Sequence, residues 1–428
     1  MKIILINHTF QIPRFYKRWQ LLANEHRDLD VTLITPNKAK WDIKGSMIFG
    51  SDTVIEGKGL NNGNFHIIPV QIQERKFLGW ISDEMVKVIK EIKPDIVYHI
   101  GGHTQPSLMQ CIKTVRKYLP NSKVMAFSMR GPAYNLIFPR LRKKESRLHW
   151  IARIITYYVY SYRVKYLNKN CDAILCHYPT AIKCFKDEGF KKPIYMSTQV
   201  GVDTDVYYPD AQKRGRIRTL YNLGDAFVFG CACRFIPNKG LFEIVDALPQ
   251  EGNWKCLLMG KGENKFTESL IRRIKEKHLE DKIILTGYIE WNEMPAYWNA
   301  IDCALHVPQT TDTWQETFSL AIVQAMATGK PVIGNTSGSV PYQIGVNEMI
   351  VPEGDIQALT EKIIWTMQHR DEAMRIGLKM RNYAINSFSI KNLNKQFYDI
   401  IQDVYHGVYN KNKVDMVNYA KNNGYELR

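Results

Sequence analysis

The 428-residue sequence predicts an α/β fold of two doubly wound units, and three observations carry that reading. Short apolar runs alternate with amphipathic stretches along the chain, the pattern of parallel strands covered by helices on both faces. The alternation breaks once, around 201–215, where Gly201, Asp203, Asp205, Pro209, Asp210 and Gly215 crowd a segment with loop chemistry. The length exceeds what one ordinary core organises and suits two domains of about 200 residues each.

In the first half, 2–7, 31–35, 65–70, 95–100 and 123–127 read as strands. Helical periodicity fills 81–92, ending before Pro94, and 107–118, ending before Pro120. A longer aromatic and basic helix is predicted over 148–167, leading into a strand at 173–177. Beyond the break, strands at 226–233, 255–259, 283–286, 303–307 and 331–334 alternate with helices at 241–248, 265–278, 294–299 and 320–328. The expected domains are 1–205 and 206–385, with 386–428 forming a C-terminal helix and polar tail that packs back on the first domain. Ligands of doubly wound sheets gather at the carboxyl ends of the strands, so the cleft between the domains is the expected active site.

With 45% hydrophobic and 23% charged residues, the composition is that of an ordinary soluble protein, and no apolar run reaches a membrane span of about 20 residues. The opening Met1-Lys2-Ile3-Ile4-Leu5-Ile6-Asn7 is too short an apolar stretch for a signal peptide and lacks a small-residue cleavage site, so it reads as a buried first strand. The expected location is the cytoplasm. Eight cysteines without a CxxC pair, and histidines without metal-ligand spacing, predict reduced core thiols, no metal and no cofactor. Residues 1–200 hold 32 Lys+Arg against 15 Asp+Glu, whereas 201–428 hold 26 against 27. The whole +16 excess therefore lies in the first half, with Arg140, Arg142, Lys143, Lys144 and Arg147 close together. Either that domain meets an anionic partner, or the excess is a solvated surface that aids solubility.

Two segments carry the chemistry. An apolar strand ends at Cys233, so Arg234 projects where ligands bind, and Lys239 follows it across a turn tightened by Pro237 and Gly240. Two cations so spaced can hold a diphosphate, one as a planar fork and one as a point charge, or they can be exposed surface cations. The second segment is Trp314–Gly334 in the chain, where 320–327 is apolar enough for a buried helix stopped by Gly329. The free N–H groups and dipole at that helix start favour a phosphate. Glu316 lies one turn earlier, where a carboxylate suits sugar hydroxyls, or merely caps the helix.

Together these segments resemble the retaining glycosyltransferase family 4, the glycosyl transferases group 1 with a GT-B fold. The resemblance rests on Arg234-x4-Lys239-Gly240 after a strand and on Glu316-x-Phe318-x-Leu320 leading to Ala325-Met326-Ala327-x-Gly329-x-Pro331-Val332-Ile333. Gly201-Val202-Asp203-Thr204-Asp205, Met259-Gly260-Lys261-Gly262, Thr286-Gly287-Tyr288, the 338–341 turn and Val351-Pro352-Glu353-Gly354-Asp355 extend it. It implies that Arg234 and Lys239 grip the diphosphate of a nucleotide-sugar donor and that Glu316 binds the sugar hydroxyls. It further implies that Phe318, Ser319 and Leu320 close on sugar and phosphate, that Gln324 meets the ribose, and that Gly287, Tyr288 and Ile289 line the base. Two positions depart from the family: Gln324 stands where a Glu is usual, and Ser319 where a Gly is common.

The acceptor side offers His8, His103 and Arg130 at strand ends, though Arg130 is permanently charged and a poor base. The basic first domain suggests a glycan or lipid-linked acceptor on or attached to an anionic membrane, and with it peripheral binding at the inner membrane face. The helix over 148–167, with Trp150 and five tyrosines, reads either as a lipid-facing surface or as a helix packed on the sheet with wet tyrosine rims. Packing is the simpler reading, which makes 140–147 the better membrane candidate. Two other functions fit the residues: a catalytically silent nucleotide-sugar-binding scaffold, and a glycosyltransferase acting on nucleic acid. Intact Arg234, Lys239 and Glu316 speak against the first, and the lack of a nucleic-acid-binding motif against the second.

Overall fold

The computed structural model describes residues 1–40, 54–75, 79–102, 105–128, 146–311 and 314–409. The chain divides into two compact units, one containing Met1–Lys40, Val54–Gln199 and the chain from Asn394, the other Val200–Leu393. The division thus falls before residue 205, and the return to the first unit comes later than 386. The reason is local. Val202 donates its N–H to Phe388 O (2.9 Å) and accepts from Ile390 N–H (3.0 Å), which ties the 201–205 loop and the helix Arg370–Phe388 to the second unit.

The first unit is built on an eight-stranded sheet. Its spatial order is Ile194–Met196, Ala173–Cys176, Lys123–Ser128, Ile96–His99, Lys2–Ile6, Asp30–Pro36, Phe65–Val70 and Leu60–Asn62. All neighbours run parallel except the last pair. The central strands are buried along their length, as helices on both faces require, and so they read as continuous apolar runs rather than alternating ones. The helix Asp83–Ile92 starts where the Ser82 hydroxyl accepts the Met85 N–H (3.1 Å) and stops at Lys93, whose left-handed backbone (φ 50°) precedes Pro94. The helix Pro13–Glu25 was not anticipated; Pro at its first position presets it.

The second unit holds a six-stranded, all-parallel sheet in the order Ile283–Gly287, Trp254–Met259, Phe227–Ala232, Cys303–His306, Val332–Asn335 and Ile350–Val351. The predicted strands and helices of this half recur within a few residues of their expected ends. All eight cysteines are buried free thiols.

Beyond Asn394 the C-terminal helix supplies Phe397, Ile401 and Val404 to the core of the first unit, where Phe397 meets Trp19 edge-on at 5.0 Å. Arg18, 3% exposed, fastens this arrangement. Its Nε donates to Asn394 Oδ1 (3.1 Å), its Nη1 donates to Thr198 O, and Asn394 Nδ2 returns a bond to Arg18 O (3.1 Å). Burial lowers the guanidinium pKa to about 10, so it stays charged at neutral pH, and its face covers the Trp19 ring at 4.6 Å. Arg18→Met removes the donor to Asn394 Oδ1 and Thr198 O; the expected loss of stability is about 2–4 kcal/mol, read as a lower melting temperature. An unchanged melting temperature would contradict the fastening role.

Candidate active site

In the second unit the chain lays down Phe227–Ala232, then Trp254–Met259 and Ile283–Gly287 to one side, then Cys303–His306, Val332–Asn335 and Ile350–Val351 to the other. The order reverses between Phe227–Ala232 and Cys303–His306, and a crevice at the carboxyl ends of two such strands is where open α/β sheets bind ligands. Arg234 follows the first of these strands and His306 ends the second.

The turn after Arg234 is a short 3-10 stretch, Pro237–Lys239, closed by Gly240 at φ 71°. A Cβ on Gly240 would lie 1.9 Å from Val307 O, so only glycine lets the turn rest on the neighbouring strand end. Gln309 N–H donates to Asn238 O (3.0 Å) and secures the same approach. Across the crevice, Ser339 N–H donates to Glu316 O (2.8 Å), and Gly338, at φ 52°, brings its backbone so close that a Cβ would sit 2.0 Å from that oxygen. These two approaches aim Lys239 and Glu316 at each other. Lys239 Nζ donates to Glu316 Oε2 at 2.6 Å, with side-chain exposures of 13% and 7%.

His306 Nε2 lies 3.4 Å from the same oxygen, and Lys239 Nζ sits 4.5 Å from the centre of the Trp314 ring. Burial by itself would raise the Glu316 carboxyl, but His306 and the Lys239 ammonium outweigh it and hold its pKa at about 2. Glu316 is therefore a carboxylate at every physiological pH. Arg234 differs: it is half-buried, and its guanidinium has no hydrogen-bond or ion-pair partner among the described residues. The site thus combines a neutralised buried pair with a cation that has no acidic partner among the described residues.

The walls come from neighbouring strand ends. Phe235 N–H donates to Lys261 O (3.0 Å), Gly260 N–H donates to Gly287 O (2.9 Å), and Lys261 Nζ stands 5.3 Å from the centre of the Tyr288 ring. Ile289 follows in the same half-buried loop. On the opposite wall, the fully buried Gln343 clamps the start of the helix Leu320–Ala327: Ser319 N–H donates to its Oε1 (2.8 Å) and its Nε2 donates to Ser319 O (3.0 Å). The Ser319 amide, expected to face sugar or phosphate, is thus already engaged. Phe318 packs its ring on Phe388 at 5.7 Å. Gln324, 4% exposed, accepts the Trp298 indole N–H on its Oε1 (3.2 Å), the oxygen expected to meet a ribose.

In the first unit, His8 follows the strand Lys2–Ile6, and the adjacent strand ends at His99 in register with Ile6. Burial lowers His8 to about 4, and burial with the nearby His8 lowers His99 to about 3, so both are weak bases at neutral pH. His99 Nε2 also engages Ser107 Oγ at 2.8 Å. His103, Arg130 and the cluster from Arg140 to Lys144 lie outside the described residues.

Residues 222–383 match the family model described as glycosyl transferases group 1, a span that contains the whole arrangement from Arg234 to Gln343. A GDP-mannose-dependent alpha-(1-6)-phosphatidylinositol monomannoside mannosyltransferase of Mycolicibacterium smegmatis is 28% identical over 196 residues, 44% of this chain and 51% of that protein. Trehalose synthase of Pyrococcus horikoshii is 26% identical over 183 residues, covering 40% and 42%. The chain spans about half the length of the curated relatives it matches. Among solved structures, sucrose-phosphate synthase of Thermosynechococcus elongatus superposes with a TM-score of 0.67 at 16% identity, covering 95% of this chain and 100% of that one. HepE of Anabaena, in complex with UDP and glucose, gives 0.65 at 17%, covering 94% and 100%. At such identities the likeness concerns the fold, and the fold is GT-B.

Three residues of the matched span escaped the sequence reading as site residues: His306, Gln343 and Trp298. A histidine closing an apolar strand at the order reversal, and a glutamine inside the apolar run 340–344, were the available signals.

The pair has a pH signature. Glu316 falls from an ordinary 4.5 to about 2 on folding, so its contribution is complete above about pH 4.5 and disappears as pH drops toward 2. The sensitivity of stability to acid in that window should be shallower in Glu316→Gln, as followed by thermal melts across pH. At neutral pH Lys239→Met strands a buried carboxylate and should cost about 3 kcal/mol, and adding Glu316→Gln should restore half or more of it. Simple additivity of the two changes would refute the coupling.

Proposed function

We propose that the chain transfers a hexose-type sugar from a nucleotide-diphosphate sugar to a glycan or lipid-linked acceptor, with retention at the anomeric carbon. The observation that carries this reading is the buried, ionised Lys239–Glu316 pair at the order reversal of the sheet, where Arg234 follows a strand end and has no side-chain partner among the described residues. Arg234 offers a planar fork to a diphosphate, and Lys239 adds a second cation, so charge developing on the leaving nucleotide meets fixed positive groups. Glu316, an obligate acceptor in its ionised form, accepts hydrogen bonds donated by hydroxyls of the donor sugar. Tyr288 and Ile289 line the base, and the helix bearing Gln324 flanks the ribose.

With His8 at about 4, no strong base is at hand there, and the departing phosphate oxygen takes the acceptor proton. The cations of the reaction are side chains, so the reaction needs neither metal nor cofactor. The named activity of the mycobacterial relative, mannosyl transfer to a phosphatidylinositol mannoside, supports a lipid-linked acceptor in cell-surface polysaccharide or glycolipid synthesis. With the basic excess of the first 200 residues it also supports a cytoplasmic protein acting at the inner membrane face.

A thermal-shift panel of nucleotide sugars should yield one donor that raises the melting temperature, equivalent to about 2.7 kcal/mol at a hundredfold excess over Kd. Arg234→Ala should retain its fold and lose about 100-fold or more in turnover of that donor, with EDTA leaving the wild type active. Donor binding without any transfer or hydrolysis would instead identify a silent scaffold.

A further inference from the structure

The helix Arg147–Asn170 buries itself in an unusual way for a helix of a globular unit. Among its described side chains only Val164 and Leu167 are buried, both in its last two turns. Before them large apolar and aromatic side chains stand in solvent: Leu148 (81% exposed), Ile155 (59%), Tyr158 (61%) and Tyr162 (68%), with Ile151 and Val159 also exposed. Their spacing of three and four residues places them on one face, a stripe running along most of a helix of 24 residues, about 36 Å long. The helix therefore does not pack on the sheet with only its tyrosine rims wet. It turns its most apolar face outward, and a contiguous patch of that kind marks an interaction surface.

Charge decides the occupant. The helix carries Arg147, Arg153, Arg163, Lys165 and Lys169 and no acidic residue, and residues 101–200 hold 18 Lys+Arg against 4 Asp+Glu. Such an excess around an apolar face repels an equally basic second copy and suits a surface that is apolar beneath an anionic layer. Tyrosines at 157, 158, 160, 162 and 166 match the boundary between headgroups and acyl chains, where a ring with a polar tip is at home. No helix among the described residues is long and apolar enough to cross a membrane, so this helix would lie in the interface plane. We infer that the Leu148–Ile155–Tyr162 face of this helix is the docking surface of the first unit for an anionic lipid bilayer.

This deepens the proposed lipid-linked acceptor, yet its test needs neither donor nor acceptor, so a failure of transfer and a failure of docking remain distinguishable. The full chain is floated with phosphatidylcholine vesicles, with and without a fraction of phosphatidylglycerol. The wild type should bind the anionic vesicles, and binding should weaken with salt. The triple variant Leu148→Ser, Ile155→Ser, Tyr162→Ser should lose about tenfold or more in affinity at an unchanged melting temperature. Hydrogen exchange of the wild type on vesicles should show new protection within 147–163, a readout independent of the variant's folding. Absence of vesicle binding would overturn the inference, as would equal binding by a well-folded triple variant or protection confined to other segments. So would self-association in solution that the triple variant abolishes, because the face would then belong to a second copy.

Discussion

An ammonium and a carboxylate 2.6 Å apart, both nearly closed off from water, set the constraint around which the second unit is arranged. Removing two charges from water is costly, and their mutual attraction offsets that only when the geometry is tightly held. The holding is done by backbone. Gly240 seats the turn that bears Lys239 on Val307, and Gly338 seats the segment that bears Glu316 on its own carbonyl oxygen, each at a separation that any Cβ would forbid. Apolar residues would fill the same space with less cost, so stability alone does not account for the pair. An arrangement of fixed, dry, opposite charges at the order reversal of a parallel sheet is what a site needs when it must meet both a phosphate and hydroxyl groups.

The same constraint orders the surroundings. With Glu316 neutralised by Lys239, Arg234, whose guanidinium has no partner among the described residues, and Lys261 leave the crevice with positive charge. The clamp of Gln343 on both backbone groups of Ser319 fixes the start of the following helix without spending a charge. Gln324 belongs to a third layer: its amide oxygen receives the Trp298 indole, so the substitution of an amide for the family's usual acid is matched by an indole donor within the unit. A carboxylate there would be a buried charge facing that single donor, whereas the amide is satisfied as a neutral group.

Much of this was legible in the sequence, for physical reasons that differ by element. Strands such as Lys2–Ile6 and Trp254–Met259 announce themselves because a sheet covered on both faces demands unbroken apolar runs. Arg234, Lys239 and Glu316 could be placed from strand-end and helix-start logic, since local sequence determines where a turn projects. Their direct pairing could not, because it depends on two glycine-mediated approaches between segments distant in sequence. His306 and Gln343 were passed over for the same reason: each is a single polar residue in an apolar run, and only the tertiary fold gives it a partner. The helix Arg147–Asn170 is expected over 148–167 from its aromatic and basic make-up, with packing on the sheet the simpler of two readings, yet Leu148, Ile155 and Tyr162 stand in solvent. Periodicity tells which residues share a face and is silent on which way that face turns.

The two units carry different balances of charge, and the difference has a chemical sense. In the second unit several basic side chains are met locally by acids, as Arg214 and Arg218 by Asp302, Arg273 by Asp246 and Lys239 by Glu316, and the first unit has such a pair in Arg116 and Asp172. Fields that are compensated and partly buried are short in range and little affected by salt, which suits precise contact with a small ligand. In the first unit the cations of the helix Arg147–Asn170 have no acid on their own helix to answer them, and they border an apolar stripe rather than a pocket. An excess of surface charge acts over a Debye length and on extended partners, at the cost of sensitivity to ionic strength. A chain that must bind a compact anionic donor and also find a broad anionic surface would need both arrangements: the buried pair lies in the second unit and the basic helix with its apolar stripe in the first.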